Sequence, residues 1–504
     1  MLSLIPIWCN GPCDELVSRD QDFFLYHNYA ICRKCVDRLK QLSLSNPDKS
    51  RKPIDPARRD SALAAVKSIT LPNKATIPVK EMTQGVYPTR QPEPKVRCVK
   101  CQNVWHVSCA MYLKEDHPKG FHCPKCGSKR RRPHKTAKEL PETKLSKFVE
   151  QRLQRFLKHQ IENPEGATEE ERKKTSEEAR QESGCFVRVA HSSLEKFRTE
   201  KRMARMYTGT EFSAEIEYVL RVLFVFQVLD GKEIAIFAMR VMEFEKKAPK
   251  CTQDTVVIDY LDSVKFDDHP KIRSKLYPQL IESYLEYSRA RGFRRFNIWA
   301  ETPEEGDDFI FPCHPPTQKF LDQLTLERYY RQIIEKAKQN GILEDFCTFG
   351  EFLTDDTLPE DIPYFPGVWA ETMESTIRTA INRNGVKQPT KKMVMEVTKE
   401  RKTKTRNFLA DFSEIDVSEK ITDTDEQLHS RLLQDRFRLL ESTEKLCLEF
   451  SDKKMAALTT QFILRSLWNE PDIVEAARKR NELLYEPKTR AQQAKRAKLE
   501  ADQH

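Results

Sequence analysis

Short apolar runs begin at about Cys185 and mark the start of a large globular region. Residues 186–190 predict one strand, and residues 219–244 predict two more. The two strands of 219–244 are joined at Asp230-Gly231, a dipeptide that favours a tight hairpin turn. These runs predict the first strands of a sheet.

A strand, a helix and another strand follow along the chain. Residues 256–264 and 293–300 are apolar runs of strand length. Between them, apolar residues at helical spacing predict a helix over 272–291 that ends at Gly292. A strand, a helix and a strand in this order predict a crossover unit within a central sheet.

The carboxyl ends of those two strands predict where a ligand binds, because ligands of crossover units lie beyond the strand ends. These ends are Asp262-Ser263 and Trp299-Ala300. The segment 301–318, ETPEEGDDFIFPCHPPTQ, begins directly after the second strand. We therefore expect this segment to border the site.

The pair Cys313-His314 within this segment could be a nucleophile with its base, a metal site or part of a stiff loop. Adjacent side chains of an extended segment point to opposite sides, so a nucleophile and its base rarely meet there. A metal site needs more ligands, and none recur at a useful spacing. Prolines on both sides fix the backbone. We favour a stiff loop that serves chemistry done by other residues.

The stretches before this region are more polar. Residues 142–160 have apolar residues at helical spacing and predict a helix with one buried face. Residues 161–184 are charged and predict an exposed connection, and residues 36–97 predict mostly linker. The basic run 127–135, GSKRRRPHK, is either a solvated linker or a segment for nuclear import or nucleic-acid contact.

The composition is that of a chain with two or three domains and a mild basic excess. The 504 residues include 86 basic and 77 acidic ones, for a formal charge of +9. This excess permits acidic partners without requiring them. No apolar run reaches membrane-spanning length, and the start MLSLIPIWCN lacks the features of a signal peptide, so we expect no membrane partner.

Most of the 14 cysteines lie before residue 127, in closely spaced pairs. Such pairs favour zinc over disulfides, because one CxxC turn supplies two of the four tetrahedral ligands. Unligated buried cysteines are the alternative, and they would leave so small a fold without enough core. The first group of candidate zinc ligands is Cys9, Cys13, Cys32 and Cys35, and the second is Cys98, Cys101, His106, Cys109, Cys123 and Cys126.

The second group resembles the latter part of a PHD finger, which is a cross-braced module with two zinc sites. The resemblance implies that the four cysteines of its two CxxC pairs share one zinc. It also implies that His106 and Cys109 belong to another site, which needs an earlier cysteine pair.

Four longer motifs closely resemble the acetyltransferase of the CREB-binding-protein family of transcriptional coactivators: DYLDSVKF, YLEY, NIWAETPEEGDDFIFPCHPPTQ and IPYFPGVW. The resemblance covers about residues 140–380 and resumes weakly at 448–464. It implies an α/β fold, with an acetyltransferase domain whose central mixed β-sheet is flanked by helices. Small zinc-held RING-like and PHD-like modules precede that domain.

The implied domains are a RING-like zinc module at 1–60, a linker at 61–90, a PHD-finger-like module at 91–130, the acetyltransferase domain at 135–468 and a basic helical tail at 469–504. Within the acetyltransferase domain, residues 383–408 form a basic loop. This loop matches the family's autoinhibitory loop, or it is simply a solvated loop.

The reaction implied by the resemblance moves an acetyl group from acetyl-coenzyme A to a lysine amine. The leaving thiolate benefits from a proton supplied as its bond breaks. The resemblance assigns this role to Tyr330, and it assigns Trp299 to the wall of the lysine tunnel. Its acetyl-coenzyme A contacts are Leu261, Asp262, Ser263, Arg273, Ser274, Trp299, Gln318 and Phe320. Arg273 matches a phosphate-binding arginine, whereas Asp262 is expected mainly to order the strand end.

Several positions depart from the family pattern. Thr325 stands where the family has a second arginine that faces the cofactor, and Arg328 lies one helical turn away. On the substrate surface, Leu220 replaces a threonine, Pro366 replaces a glutamate, and Asp435 alone remains of two aspartates. The acetyl-transfer machinery is therefore expected to persist, with weaker cofactor binding and weaker attraction of substrate.

The sequence thus predicts a nuclear acetyltransferase and transcriptional coactivator that uses acetyl-CoA and zinc. Its expected partners are histones, other lysine-bearing transcription proteins and, indirectly, DNA-bound transcription factors; direct nucleic-acid binding is left open. The alternative is a weakened or inactive relative that acts as a zinc-dependent chromatin scaffold. A ubiquitin ligase is a third interpretation, disfavoured because the RING-like part has ligands for about one zinc.

Overall fold

The structure is a computed structural model, and it describes most of the chain between Cys9 and Lys479. The described residues are 9–13, 23–27, 29–45, 66–72, 74–85, 94–110, 112, 117, 119–127, 136–206, 215–266, 271–302, 308–358, 361–401 and 406–479. The chain divides into two compact units, Met1–Lys95 and Val96–His504.

The first unit contains short strands and one helix around a small core. Its elements are β1 (Phe23–Tyr26), β2 (Tyr29–Cys32), α1 (Arg33–Ser45), β3 (Ser68–Thr70), β4 (Thr76–Pro78) and β5 (Thr83–Gly85). β1 pairs antiparallel with β2 and β5, and β3 pairs antiparallel with β4. Buried Ile31, Ile69 and Ile77 join the first cysteine group in one apolar cluster.

Strands β3, β4 and β5 lie where the sequence predicted linker. Each has three residues, which is too short to leave a periodic apolar pattern. The structure therefore corrects the prediction that residues 36–97 are mostly linker. The domain boundaries themselves stay predictions.

The second unit begins with the other cysteine group and continues into a seven-stranded sheet. The cysteine group contains β6 (Lys95–Arg97), β7 (Val104–His106) and α2 (Val107–Ala110). The sheet strands are β8 (Phe186–Arg198), β9 (Glu215–Leu229), β10 (Lys232–Phe244), β11 (Thr255–Ser263), β12 (Arg295–Trp299), β13 (Leu343–Thr348) and β14 (Asn407–Phe412).

The sheet is mixed, as predicted. Its strand order is β13-β14-β12-β11-β10-β9-β8, and β11 and β12 are its parallel pair. The other neighbouring strands are antiparallel. The hairpin between β9 and β10 turns at Asp230 and Gly231, whose positive φ angles of 49° and 72° suit a primed hairpin turn.

Helices flank the sheet. They are α3 (Lys144–Glu162), α4 (Glu169–Glu182), α5 (Lys201–Met206), α6 (Arg273–Arg291), α7 (Gln323–Gln339), α8 (Phe349–Phe352), α9 (Val368–Asn384), α10 (Lys391–Arg401), α11 (Arg431–Gln434), α12 (Arg436–Leu446) and α13 (Lys453–Leu467). Helix α6 connects the parallel strands and ends at Gly292, whose φ is 91°. The predicted crossover unit is thereby confirmed.

Both faces of the central strands are buried, which explains their unbroken apolar runs. In β9, Phe224 belongs to a large cluster that includes Leu153 of α3 and Leu276 of α6. Leu220 of the same strand belongs to a second cluster, which includes Ile377 of α9. Residues 220–227 of β9 are buried without a break, and successive side chains point to opposite faces, so both faces of this strand are covered.

Two polar segments were predicted wrongly. Residues 161–184 were expected to form an exposed connection, but they contain α4, which begins with a capping box between Thr168 and Glu171. Its apolar signal is weak because only Ala179 and Glu182 are buried. The basic loop predicted at 383–408 contains α10.

Two further predictions lie partly or wholly outside the described residues. Residues 471–479 of the predicted basic tail are helical, and residues 480–504 lie beyond the described part of the chain. The basic stretch 128–135 also falls outside it.

Candidate active site

Asp262 organises the end of β11, where the sequence predicted a ligand site. One carboxylate oxygen accepts hydrogen bonds from the backbone N–H groups of Ile310 and Phe311, at 2.9 and 2.8 Å. The other accepts from the Ser263 N–H at 2.8 Å and lies 2.7 Å from His314 Nε2. This buried carboxylate therefore joins the strand end to the proline-rich segment.

His314 lies between two carboxylates. Its Nδ1 is 3.7 Å from Asp308 Oδ1, on the side opposite Asp262. Burial alone would lower the pKa of His314, but the charges and hydrogen bonds of Asp262 and Asp308 raise it to about 10. The ring is therefore a buried cation at neutral pH, held in place by both acids.

The backbone at Cys313 supports the same arrangement. Its φ is 51°, which is unusual for a residue other than glycine. The Cys313 N–H donates to both oxygens of Asp308, at 3.1 and 3.0 Å. These contacts agree with the interpretation of the segment as a stiff loop.

Gln318 ties the other end of the loop to β11. Its Nε2 donates to the Ser263 carbonyl at 2.8 Å, and its Oε1 accepts from the Lys265 N–H at 2.7 Å. The ring of Phe320 lies edge-on to His314, with centroids 5.4 Å apart, and is 42% exposed. The structure thus brings together four of the predicted contacts: Asp262, Ser263, Gln318 and Phe320.

Tyr330 lies on α7, beside Tyr329, with ring centroids 5.7 Å apart. Burial raises the pKa of Tyr330 well above its usual range, and the nearby Tyr329 and Asp262 raise it further. The phenol therefore keeps its proton at neutral pH. Tyr330 packs against the same large apolar cluster as the predicted contact Leu261.

Trp299 ends β12 and packs in the other apolar cluster. Its ring makes an edge contact with Trp369, with centroids 5.5 Å apart, and its Nε1 donates to Glu301 at 2.7 Å. Within the described part of the chain, Trp299 and Tyr330 share no hydrogen bond or ring contact. Their joint role stays a prediction.

Arg273, the predicted phosphate ligand, is buried in an ion pair. Its side chain is 1% exposed, and its Nη2 donates to Glu182 at 2.8 Å and to Gln227 at 2.6 Å. A second N–H, on Nε, reaches Glu182 at 3.3 Å. Within the described part of the chain, buried Nη1 has no acceptor. Sequence reasoning missed Glu182, because α4 was predicted to be a connection.

The first turn of α6 contacts α4 again at the backbone. The Ile272 N–H donates to Glu178 at 3.0 Å. Ser274, the other predicted contact at this end, is exposed and donates to the Lys271 carbonyl at 2.8 Å. Two carboxylates of α4 thus lie where the helix N-terminus and Arg273 would otherwise attract an anion.

The positions that depart from the family pattern have local roles of their own. The Thr325 N–H and hydroxyl donate to Asp322, at 2.9 and 2.8 Å, and so form the N-terminal cap of α7. Leu220 is buried in the core.

Two groups of four cysteines could each hold a metal ion. In each group the four sulfur atoms lie within 4.8 Å of one another. Backbone N–H groups point at the sulfurs, as at Cys9 (from Cys32, 3.2 Å) and Cys98 (from Cys123, 3.3 Å). Such donors favour thiolates, which are the ligands that zinc binds. Gly11 lies so close that an added Cβ would be 2.5 Å from the Cβ of Cys35.

His106 and Cys109, the remaining predicted ligands, lie beside each other. The distance from His106 Nδ1 to Cys109 Sγ is 4.0 Å. Among the described residues they join neither group of four. Their metal site stays a prediction.

Comparison with known proteins identifies relatives of this chain. Residues 169–446 match the family model "Histone acetyltransferase domain KAT3". Protein cbp-1 of Caenorhabditis elegans is 28% identical over 398 residues, which are 75% of this chain and 18% of the relative. Histone acetyltransferase HAC2 of Arabidopsis thaliana is 29% identical over 354 residues, which are 65% of this chain and 25% of the relative.

The match is restricted to one part of each relative. Probable histone acetyltransferase HAC-like 1 of Oryza sativa subsp. japonica is 31% identical over 312 residues, which are 56% of this chain and 18% of the relative. This chain therefore spans about a fifth to a quarter of the length of the relatives it matches.

Within the described residues, every helix is too short or too polar to cross a membrane.

Proposed function

The chain belongs to the family of the KAT3 histone acetyltransferase domain, and from that premise we propose that it acetylates lysine side chains. The acetyl donor is acetyl-coenzyme A, and the acceptors are histones and other lysine-bearing transcription proteins. The observation that carries this proposal is the network around Asp262, which joins the end of β11 to the loop through His314. Such rigid support is what a reacting site requires.

In the proposed reaction, a neutral lysine amine forms a bond to the acetyl carbon as the carbon–sulfur bond breaks. Tyr330 donates its phenolic proton to the departing sulfur. The new amide nitrogen releases its extra proton to solvent, and the tyrosinate regains a proton from solvent before the next turnover. Its raised pKa keeps that proton in place until negative charge develops on the sulfur. Trp299, half-buried at the end of β12, borders the path of the lysine.

The donor fits the two ends of the site unequally. Gln318 and Ser263 offer amide and hydroxyl groups beside the strand end, which suits the polar pantetheine arm. Arg273 does not fit the phosphates as it is held, because Glu182 already neutralises its charge and its side chain is buried. We therefore propose that Gln318 and Ser263 contact the pantetheine arm, and we propose no phosphate contact through Arg273.

The chain's activity can be tested with the full-length purified protein, labelled acetyl-coenzyme A and core histones. We expect label on lysine residues, identified by mass spectrometry, and none without the protein. Absence of label at saturating donor, with several lysine substrates, would rule out the enzyme.

The second candidate function is a non-catalytic scaffold in chromatin complexes. Two observations favour it: the buried pair of Arg273 with Glu182, and the use of Thr325 in a helix cap. A scaffold would bind chromatin proteins without transferring label, so the same labelling experiment separates the two functions.

We also propose that each group of four cysteines binds one zinc ion. Elemental analysis of the full chain should give about two zinc ions per molecule, and Cys98→Ser should lower the count by about one. Cys251→Ser is the matched control, because Cys251 is buried in an apolar cluster and belongs to neither group. A zinc content below about one per chain would contradict the assignment.

The partners and the location follow from the proposed substrate. Histones and transcription proteins place the chain in the nucleus, with DNA-bound transcription factors contacted indirectly. Fractionation of cells with an antibody to the chain tests this, and a purely cytoplasmic signal would contradict it.

A further inference from the structure

A large cavity lies between α3 and α6, and its lining includes none of the residues assigned to acetyl transfer. Its volume is about 560 Å³, which is in the range of sites for small organic ligands. Its lining includes Arg152, Arg155 and His159 from α3 and Arg289 from α6. Nothing in the proposed acetyl transfer uses these side chains.

The cations from α3 lie on one face of the helix. Arg155 follows Arg152 by three residues and His159 follows Arg155 by four, so the three side chains are neighbours on the helix surface. Burial lowers the pKa of Arg152, and the nearby positive charge of Arg155 lowers it further. A bound anion would relieve this repulsion.

The two carboxylates of the lining are already engaged. Glu286 accepts a hydrogen bond from Arg152. Glu282 accepts from Gln279, at 3.1 Å, and from Asn340. Glu282 keeps its negative charge, which acts against the lowering of the Arg152 pKa, so the lining holds three arginines against two carboxylates.

Donors remain for a ligand. Arg155 is exposed and makes no hydrogen bond or ion pair with any residue in the described part of the chain. Arg289 contacts the Glu414 carbonyl and Glu419 through its terminal nitrogens, but its buried Nε has no acceptor among the described residues. Phe156 and Ile342 add apolar surface to the lining.

We propose that this cavity binds a small organic phosphate ester with two or more phosphate groups. Guanidinium groups match phosphate oxygens in geometry as well as in charge. The volume suits a ligand of metabolite size, and the apolar residues suit its carbon frame. Arg155 and the Nε of Arg289 provide the free donors, whereas Arg152 is paired with Glu286.

Calorimetry on the full chain tests the proposal, with inositol hexakisphosphate and inorganic pyrophosphate as probes. We expect saturable binding of one inositol hexakisphosphate per chain at physiological salt, and weaker binding of pyrophosphate, which lacks a carbon frame. Arg155→Gln should weaken binding by about tenfold, because it removes a charge-assisted contact. Since Arg155 has no partner among the described residues, the variant should fold normally.

Lys158→Gln is the matched control. It removes the same charge from the same helix, but Lys158 does not line the cavity and pairs with Glu162 at 3.7 Å. Equal weakening by both variants would mean general electrostatic attraction and would overturn the proposal. Absence of saturable binding would also overturn it, as would an equal loss of coenzyme A affinity in Arg155→Gln, which would make the cavity the donor site.

Discussion

The two ends of the candidate active site are built from matching sequence motifs, but their environments differ. At the reacting end, Asp262 and His314 join the strand end to the loop, and Tyr330 stands nearby with its proton held. At the opposite end, Arg273 forms a buried ion pair with Glu182. An arginine at the position that the family uses for phosphate therefore need not bind phosphate, because a carboxylate from another segment can neutralise its charge.

The largest effect is expected at Tyr330. Tyr330→Phe keeps the ring but removes the proton donor, so kcat should fall by about a hundredfold to ten-thousandfold. Initial rates with labelled acetyl-coenzyme A measure this, with coenzyme A binding by calorimetry nearly unchanged. Tyr329→Phe is the control and should lose much less. Equal losses in the two variants would show that Tyr330 has no special role.

At the opposite end, Arg273→Met should mainly reduce stability. It leaves Glu182 buried and unpaired, which costs about 3–5 kcal/mol in the free energy of unfolding. The double variant with Glu182→Gln should recover most of that loss. Urea unfolding measures both. A variant that keeps its stability but loses coenzyme A binding would instead show that Arg273 grips the donor.

A matched control for Arg273→Met lies on α4, the helix that carries Glu182. Arg172 pairs with Glu169 at 3.2 Å, but the two side chains are 44% and 91% exposed. Exposed pairs contribute about 0–1 kcal/mol, so Arg172→Met should change the free energy of unfolding very little.

The loop at the reacting end should respond to pH through His314. Its pKa of about 10 in the folded chain is above the ordinary value of about 6.5 for an unfolded chain. The ion pair therefore stabilises fully below about pH 6.5 and loses this contribution as the pH rises through about 10.

The test compares the unmodified chain with His314→Gln, which cannot carry the charge. The difference in their free energies of unfolding should be largest at about pH 6 and shrink as the pH rises toward 10. A difference that stays constant over this range would mean that the ring is neutral in the fold.

The smallest expected effect is a gain of donor affinity in Thr325→Arg. A new guanidinium at the first turn of α7 could reach the donor phosphates and tighten coenzyme A binding by about tenfold. Thr325→Gln, long but neutral, is the control, and calorimetry is the measurement. No gain would mean that Arg328 already supplies the contact or that the new side chain pairs with Asp322.

The sequence predicts the sheet well because its strands are long apolar runs that are separated by clear turn and helix-end signals. The Asp230-Gly231 turn and the helix end at Gly292 are local signals, and both are confirmed. Helix α4 is missed because its exposed face leaves almost no apolar period, although Thr168 and Glu171 form a capping box. That box, a threonine followed by a glutamate three residues later, was the signal available.

Only the part of the site that lies at the end of a strand can be predicted from the sequence. The sequence indicates that Asp262 and Ser263 lie beside a ligand, since they end a strand of a crossover unit. It does not indicate that Asp262 meets His314, 52 residues later, or that Arg273 meets Glu182, 91 residues earlier. Such pairs depend on how distant segments pack, and no local pattern reports them.

We expect the reacting end to transfer acetyl groups although the phosphates of acetyl-coenzyme A are bound weakly. The most direct measurement is the pair of kcat and KM for acetyl-coenzyme A, obtained with purified full-length chain and a histone tail peptide. We predict turnover that saturates, with a KM in the upper part of the usual range of about 1 μM to 1 mM. Absence of turnover at donor concentrations of about 5 mM, well above that range, would contradict the claim.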